Sequence, residues 1–318
     1  MNRFTEMVER NGLCGIHMAL LCLLAAGCAR MDAQAQPRSE ATALLQYIDS
    51  WGMKGSEPGH LDEPTSIATD ALGNVFIADA GSRFIDKFDE QGTPLLAFQD
   101  DWIKSPQAIA IDRGGAIYAA DPGRGTLSVF LPSGDRYRDL RLKSHPNGED
   151  TLSVSVADDG MIFVLDKDSG QVFVYTPGFR LEQTWRPFAN GGGSRSRASA
   201  VACGPDGYVY VLDGDNNRII RFSESGHVVS EIVERRAEAN RRLGDQFAVA
   251  SGYVFLMDGD GLTLHVFTAD GTPKLDFDLT PQLGNQHRFV PALAVSPRHE
   301  LFVLDPPDSR VLRYRINF

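Results

Sequence analysis

The chain has little cysteine, and its cysteines are not arranged as a disulfide framework or a thiolate metal site. There are four in 318 residues, and two of them, Cys14 and Cys22, lie in the N-terminal segment. The longest apolar run, residues 16–26, has eleven residues, whereas a membrane-spanning helix needs about 20. Positive charge is also scarce, since 31 Lys and Arg face 42 Asp and Glu for a net charge of −11. We therefore expect no nucleic-acid partner, because such a partner requires a positive surface.

The N-terminus has the features of a bacterial lipoprotein signal. The short apolar run leads into Leu24-Ala25-Ala26-Gly27-Cys28, and small residues before such a cysteine resemble a lipobox. We predict that residues 1–27 are a signal peptide, that Cys28 is lipidated and anchors the protein to the membrane, and that residues 28–43 form a flexible polar tether. A secretory peptide cleaved without lipidation and a retained anchor are the alternatives. The predicted location is the cell envelope, facing the periplasm or the exterior.

One pattern recurs six times and predicts the fold of residues 44–318. It centres on an aspartate, with an aromatic residue three positions before it, an aliphatic residue six after it and a second aromatic nine after it. The aspartates are Asp79, Asp121, Asp166, Asp213, Asp258 and Asp305. Short strand-like segments repeating at about 45 residues are typical of a β-propeller. We predict an all-β, six-bladed β-propeller with four-stranded blades.

The ends of the chain predict how the ring closes. Blade six reaches Phe318 before a fourth strand can form, while Leu44–Gly52 is strand-like and has no first three strands of its own. We therefore predict that this N-terminal segment is the outer strand of blade six. Such closure removes a free sheet edge.

The residues of blade one resemble an NHL repeat. The resemblance is carried by Trp51-Gly52, Gly55, Gly59, Pro64, Ile67-Ala68, Asp70, Gly73, Phe76-Ile77-Ala78-Asp79, Arg83-Phe84-Ile85 and Phe88, and in blade four by residues 216–222 (NNRIIRF). It covers residues 44–318. It implies a six-bladed propeller of a family that mostly binds proteins, peptides, RNA or glycans and that contains a few enzymes.

Three features suggest chemistry and are better explained by structure. Six carboxylates in a ring resemble a metal crown, but each ends a second strand, where an aspartate can accept hydrogen bonds from the following turn. Residues 213–224 begin like a calcium loop, yet Arg218 stands where that loop requires glycine. Cys203, the one thiol outside the leader and Cys28, lies on a predicted innermost strand. We expect it to be buried and inert.

The sequence favours a protein without catalytic activity or cofactor. NHL-like amidating lyases carry zinc-binding histidines on their first strands, and Thr65, Gln107 and Ala292 occupy those positions here. One alternative stays open, a metal-assisted lyase or hydrolase at the mouth of the channel. Its predicted ligands are His60, Glu63, Asp150 and His287.

Arginines are concentrated in the connectors that enter blades four to six. They are Arg186, Arg195, Arg197, Arg235, Arg236, Arg241, Arg242 and Arg288. We call this set the arginine arc. The connectors from the fourth strand of one blade to the first strand of the next line one face of the ring, which we call the connector face. The arc predicts a binding or scaffold protein whose connector face recognises a protein, a peptide or an anionic envelope glycan. The alternative for part of the arc is a short solvated helix over residues 232–243 with Arg–Glu pairs.

Overall fold

The computed structural model describes residues 44–142, 152–188, 197–233, 243–284 and 292–317. They form six four-stranded antiparallel sheets, which confirms the predicted fold class.

Each of the first five blades uses four consecutive strands. Blade one contains β2 (Pro64–Thr69), β3 (Val75–Asp79), β4 (Ile85–Phe88) and β5 (Pro94–Phe98), and blade two contains β6 (Ala108–Ile111), β7 (Ile117–Asp121), β8 (Thr126–Phe130) and β9 (Arg136–Arg141). Blade three contains β10 (Leu152–Val156), β11 (Ile162–Asp166), β12 (Gln171–Tyr175) and β13 (Leu181–Trp185). Blade four contains β14 (Ala198–Cys203), β15 (Val209–Asp213), β16 (Arg218–Phe222) and β17 (Val228–Val233), and blade five contains β18 (Leu243–Ala250), β19 (Tyr253–Asp258), β20 (Thr263–Thr268) and β21 (Pro273–Asp278).

Blade six is assembled from both ends of the propeller, as the sequence predicts. Its sheet has the order β1 (Leu45–Trp51), β24 (Arg310–Ile316), β23 (Glu300–Asp305) and β22 (Ala292–Val295). Leu45 lies opposite Ile316 and Trp51 opposite Val311. The guanidinium of Arg313 donates to both carboxylate oxygens of Asp49, at 3.0 and 2.6 Å. The N-terminal strand therefore closes the ring.

An aromatic contact recurs between neighbouring blades and includes the closing strand. The end of one outer strand packs on the third strand of the next blade, as in Phe98–Phe130 with ring centroids 5.1 Å apart and Trp185–Phe222 at 5.0 Å. Trp51 of β1 makes the same contact with Phe88, at 5.0 Å. Trp51 therefore packs blade six against blade one in the same way that Phe98 and Trp185 pack their blades against the next.

The hairpin between strands one and two needs a left-handed residue. In blades one to five it is a glycine with φ between +77° and +87°. Blade six has His299 there, and its φ is +62°. The hairpin is therefore kept without the glycine, and histidine is one of the residues that, with Asn and Asp, adopt this conformation more often than other L-residues.

Helix is nearly absent from the described residues. They contain one 3₁₀ turn, Pro122–Arg124, and one single-turn helix, α1 (Thr280–Leu283). No helix among them is long and apolar enough to cross a membrane. The suggested helix over residues 232–243 does not occupy its full range, because residues 232–233 end β17 and Leu243 begins β18. Residues 234–242 lie outside the described part.

Candidate functional site

The six repeated aspartates are structural ties, as their position in the repeat predicts. Asp79 is fully buried at the end of β3. Its carboxylate accepts four backbone N–H groups: from Asp62 at 2.6 Å and Glu63 at 3.1 Å in the incoming connector, and from Gly81 and Ser82 at 3.0 Å in the following turn. Asp121 likewise accepts from the N–H of Lys104 at 2.6 Å. These carboxylates tie the incoming connectors to the turns that follow the second strands.

The hydroxyl groups on the innermost strands bridge neighbouring blades. Ser66 of blade one accepts the N–H of Ile109 in blade two at 3.2 Å, and Ser155 of blade three accepts the N–H of Cys203 in blade four at 2.9 Å. These serines satisfy backbone groups that the free edge of an innermost strand leaves unpaired. Their role is structural, and they give the channel wall a neutral, polar character.

The environment of Cys203 disfavours its thiolate form. Burial raises its pKa to about 12, partly opposed by the hydroxyl of Ser155. A thiol with such a pKa is protonated at neutral pH and is a weak nucleophile. Cys203 is half-buried rather than fully buried, and the expectation of an inert thiol stays a prediction.

Charge enters the channel at one place. Of the described residues that line the channel cavity of about 260 Å³, only Lys167 and Asp245 are charged. Lys167 follows β11, and Asp245 lies near the start of β18. Both positions belong to the connector face, because second strands end and first strands begin there. The wall of this cavity is therefore charged only at its connector-face end, while Asp158 lines a further cavity at the opposite end of the first strands.

Lys167 is the residue that sequence reasoning missed. The repeat contained a signal for it in the position directly after the repeated aspartate. In the other blades that position is small or proline: Ala80, Pro122, Gly214, Gly259 and Pro306. Only blade three has a long charged side chain there, which the turn directs to the mouth of the channel.

The environment of Lys167 disfavours its charge. Burial lowers the pKa of its ammonium group, the Asp245 carboxylate opposes this shift, and the Arg197 guanidinium adds to it. In the described part of the chain Lys167 makes neither a hydrogen bond nor an ion pair. Its side chain is half-buried, so it combines a partly desolvated donor with access to the cavity. An anionic group entering the mouth would satisfy that donor.

Next to the channel mouth lies a second cavity, of about 280 Å³, over blades four and five. It is lined by Arg197, Ser199, Gly214, Asp215, Leu243, Gly244, Asp245 and Gly259. A Cβ atom at Gly214 would lie 3.3 Å from Ser199 Oγ and 3.5 Å from Asp245 Oδ1. A side chain at this position would therefore contact both the serine and the aspartate at the edge of the cavity.

The arginine arc is only partly within the described residues. Arg197 lines the cavity just mentioned and is exposed. Arg186 is engaged inside blade three, where its Nη2 and Nε donate to the Gln171 side-chain oxygen at 2.8 and 3.1 Å in the favourable orientation of that amide. Six predicted members lie outside the described residues: Arg195, Arg235, Arg236, Arg241, Arg242 and Arg288. The structure thus places one of the two described arginines, Arg197, at the channel mouth.

The alternative metal cluster is half described. His60 Nε2 lies 2.9 Å from the sulfur of Met53, and Glu63 is exposed. Asp150 and His287 lie outside the described residues. Among residues 44–317, gaps excepted, no group of three or more His, Cys, Asp and Glu side chains is arranged to hold a metal ion. The four-residue site stays a prediction, as does the lipidation of Cys28, which also lies outside the described residues.

Comparison with known proteins supports the architecture of the chain. No protein-family model matches it, and no curated protein matches it. A solved streptogramin B lyase is 14% identical with a TM-score of 0.61, over 87% of this chain and 99% of that one. Virginiamycin B lyase from Staphylococcus aureus is 14% identical with a TM-score of 0.57, over 86% and 89% of the two chains. A catalytically inactive histidine-to-alanine variant of that lyase with quinupristin gives 14% and 0.56, with the same coverage.

These likenesses define a class. The chain is a six-bladed β-propeller whose fold is shared with virginiamycin B lyase. At 14% identity the likeness shows the fold alone. Membership of the NHL family, inferred from the residues of blades one and four, stays a prediction.

Proposed function

We propose that this propeller is a binding protein of the bacterial cell envelope, tethered through a lipid on Cys28, and that its connector face recognises a carboxylate- or phosphate-bearing ligand. The ligand would be carried by a protein, a peptide or an envelope glycan. The observation that supports this is that Lys167 lines the channel cavity and Arg197 lines the cavity beside it.

The chemistry of the two cations fits an anion. The Arg guanidinium offers a planar fork that pairs with carboxylate or phosphate through two hydrogen bonds. The Lys167 ammonium lacks an acceptor among the described residues and is partly desolvated. Binding an anion therefore costs little further desolvation of this group and supplies the acceptor it lacks.

We expect the double variant Lys167→Met, Arg197→Ser to bind a fluorescent oligoglutamate probe at least about tenfold more weakly than the wild type, because two charge-assisted hydrogen bonds are lost. Wild-type affinity should fall as salt rises. The matched control is Lys274→Met, a loss of an exposed lysine on β21 far from the mouth, which should leave binding unchanged. Anisotropy titrations at several salt concentrations measure all three. Binding that is unchanged in the double variant, or indifferent to salt, would place the functional surface elsewhere.

Membrane attachment depends on Cys28. A single acyl chain anchors weakly and two or more anchor stably, so the multiply acylated cysteine of a lipoprotein should hold nearly all of the protein in the membrane fraction. We expect Cys28→Ser to shift the protein to the soluble fraction or to leave an uncleaved precursor, with Cys203→Ser as the control that changes neither. Fractionation with mass spectrometry of the mature N-terminus tests this, and an unmodified Cys28 in the mature protein would contradict it.

A second candidate function is a metal-assisted lyase or hydrolase. One observation favours it, namely that the structural neighbours described above are lyases by name. Metal analysis of the purified protein separates the candidates. Stoichiometric divalent metal, lost on replacing His60 and His287 by Ala, would support the enzyme, whereas protein that binds the oligoglutamate probe without stoichiometric metal would support the binding propeller.

A further inference from the structure

The mouth of the channel carries charges of both signs. Lys167 extends from blade three, and Arg197 lies in the connector that enters blade four. Asp245 lies on the first strand of blade five and lines both the channel cavity and the cavity beside it. At the corresponding positions of the first strands, blades one to four have Thr65, Gln107, Leu152 and Ser199. Among the described first strands the carboxylate at this level is thus found only in blade five, while Asp215, which follows β15 of blade four, adds a second carboxylate to the cavity beside the mouth.

Asp245 and Arg197 act electrostatically on Lys167 without a direct contact. Asp245 and Arg197 both influence the pKa of Lys167, in opposite directions. Nevertheless, no ion pair within 4.0 Å joins Lys167 to Asp245. Asp245 therefore keeps a free side toward the adjacent cavity, which Arg197 and Gly214 line and Lys167 does not.

The size of the space limits what can fill it. The cavity beside the mouth has a volume of about 280 Å³, at the lower end of the range of roughly 300–1,000 Å³ in which small-molecule sites fall. A polymer chain cannot be enclosed there, but a small ligand or the end of a peptide can. Ser199 Oγ and the backbone groups of the glycine-rich wall supply further neutral hydrogen-bond partners.

We propose that the mouth binds a small zwitterion, namely a free amino acid or a short peptide that presents a carboxylate and an ammonium group together. The carboxylate lies between Lys167 and Arg197, and the ammonium group faces Asp245. This inference rests on the proposed recognition of anions and deepens it by naming the class of ligand. A ligand with both charges pairs all three side chains, whereas a simple anion leaves Asp245 facing it unfavourably.

Three small probes test the inference by calorimetry on the intact propeller. Alanyl-alanine carries both charges, N-acetyl-alanyl-alanine lacks the ammonium group, and alanyl-alanine amide lacks the carboxylate. We expect the wild type to bind alanyl-alanine at least about tenfold more tightly than either of the other two, because each blocked probe loses a charge-assisted contact.

The variants assign the two contacts separately. Asp245→Asn should remove the preference over the N-acetylated probe and keep the preference over the amide, and Lys167→Met should do the reverse. Lys274→Met is the control and should keep both preferences. Variants are compared only when their melting temperatures match the wild type, and the comparison of the three probes on the wild type needs no variant.

The outcomes distinguish this inference from the function on which it rests. Equal binding of alanyl-alanine and its N-acetylated form overturns the zwitterion inference while salt-dependent binding of oligoglutamate still supports anion recognition. Binding of oligoglutamate without binding of any dipeptide probe overturns it as well. If the Asp245→Asn variant keeps both preferences, Asp245 does not bind the ammonium group, and the proposal is contradicted. If the wild type binds neither oligoglutamate nor any dipeptide probe, both proposals are overturned together.

Discussion

Deletion of Leu45–Trp51 is expected to lower the free energy of unfolding by at least about 3 kcal/mol, because it removes a whole strand and a buried aromatic contact. The deletion takes away the β1–β24 pairing, the bidentate Asp49–Arg313 ion pair and the packing of Trp51 on Phe88. It also exposes β24 as a free edge. Thermal and chemical unfolding of the deleted and intact propellers measure the difference.

A point variant keeps this prediction testable if the deleted chain fails to fold. Trp51→Ala should cost about 2–3 kcal/mol, below the range for a fully buried aromatic residue because Trp51 is only partly buried. Gln46→Ala, an exposed change on the same strand, should stay within about 0.5 kcal/mol of the wild type. Melting of the deleted protein within about one degree of the intact protein would refute the role of β1 in closure.

The fold could be predicted because the repeat records packing at fixed offsets. Each repeated aspartate, each aliphatic and each aromatic position occupies the same place in every blade, so one assignment determines six. Trp51 shows the strength of this argument. It lies outside every complete repeat, and its contact with Phe88 still reproduces Phe98–Phe130 and Trp185–Phe222.

The site was predicted less well, and for a physical reason. Sequence offsets show which residues share a level of the propeller but not how much space surrounds them. Lys167 is distinguished by one position of the repeat, yet its importance comes from its partial burial and from its place on the channel cavity. Arg186 was grouped with Arg197 on connector position alone, whereas its guanidinium is held by Gln171 within blade three.

The same limit applies to the connectors themselves. Their lengths vary from blade to blade, so no neighbouring repeat indicates where their side chains lie. Most of the arginine arc belongs to such connectors. A test of the mouth therefore starts from Lys167, Arg197 and Asp245, which the strands and turns of the repeat position.

The repeated aspartates give the second large effect, and it separates a structural tie from a metal ligand. Asp79→Ala leaves four backbone N–H groups without their acceptor. Removing an acceptor from several donors costs more than one ordinary hydrogen bond, at about 1–3 kcal/mol for each buried donor left unsatisfied. Ser82 is buried, whereas Glu63 and Gly81 are exposed and can bind water instead. We therefore expect a total loss of about 3 kcal/mol in the free energy of unfolding.

Asp89→Ala is the matched control in the same blade. Asp89 accepts the N–H groups of Gln91 and Thr93 at 2.9 and 2.8 Å in the exposed outer hairpin, where water replaces the carboxylate, so its loss should cost no more than about 1 kcal/mol. Asp79→Asn should fall between the two, because an amide keeps one oxygen acceptor and turns its NH₂ group toward backbone donors. Chelators should change none of these values if the carboxylate acts through backbone N–H groups. An Asp79→Ala variant as stable as Asp89→Ala, or a wild type destabilised by a chelator, would return the ring of carboxylates to the role of metal ligand.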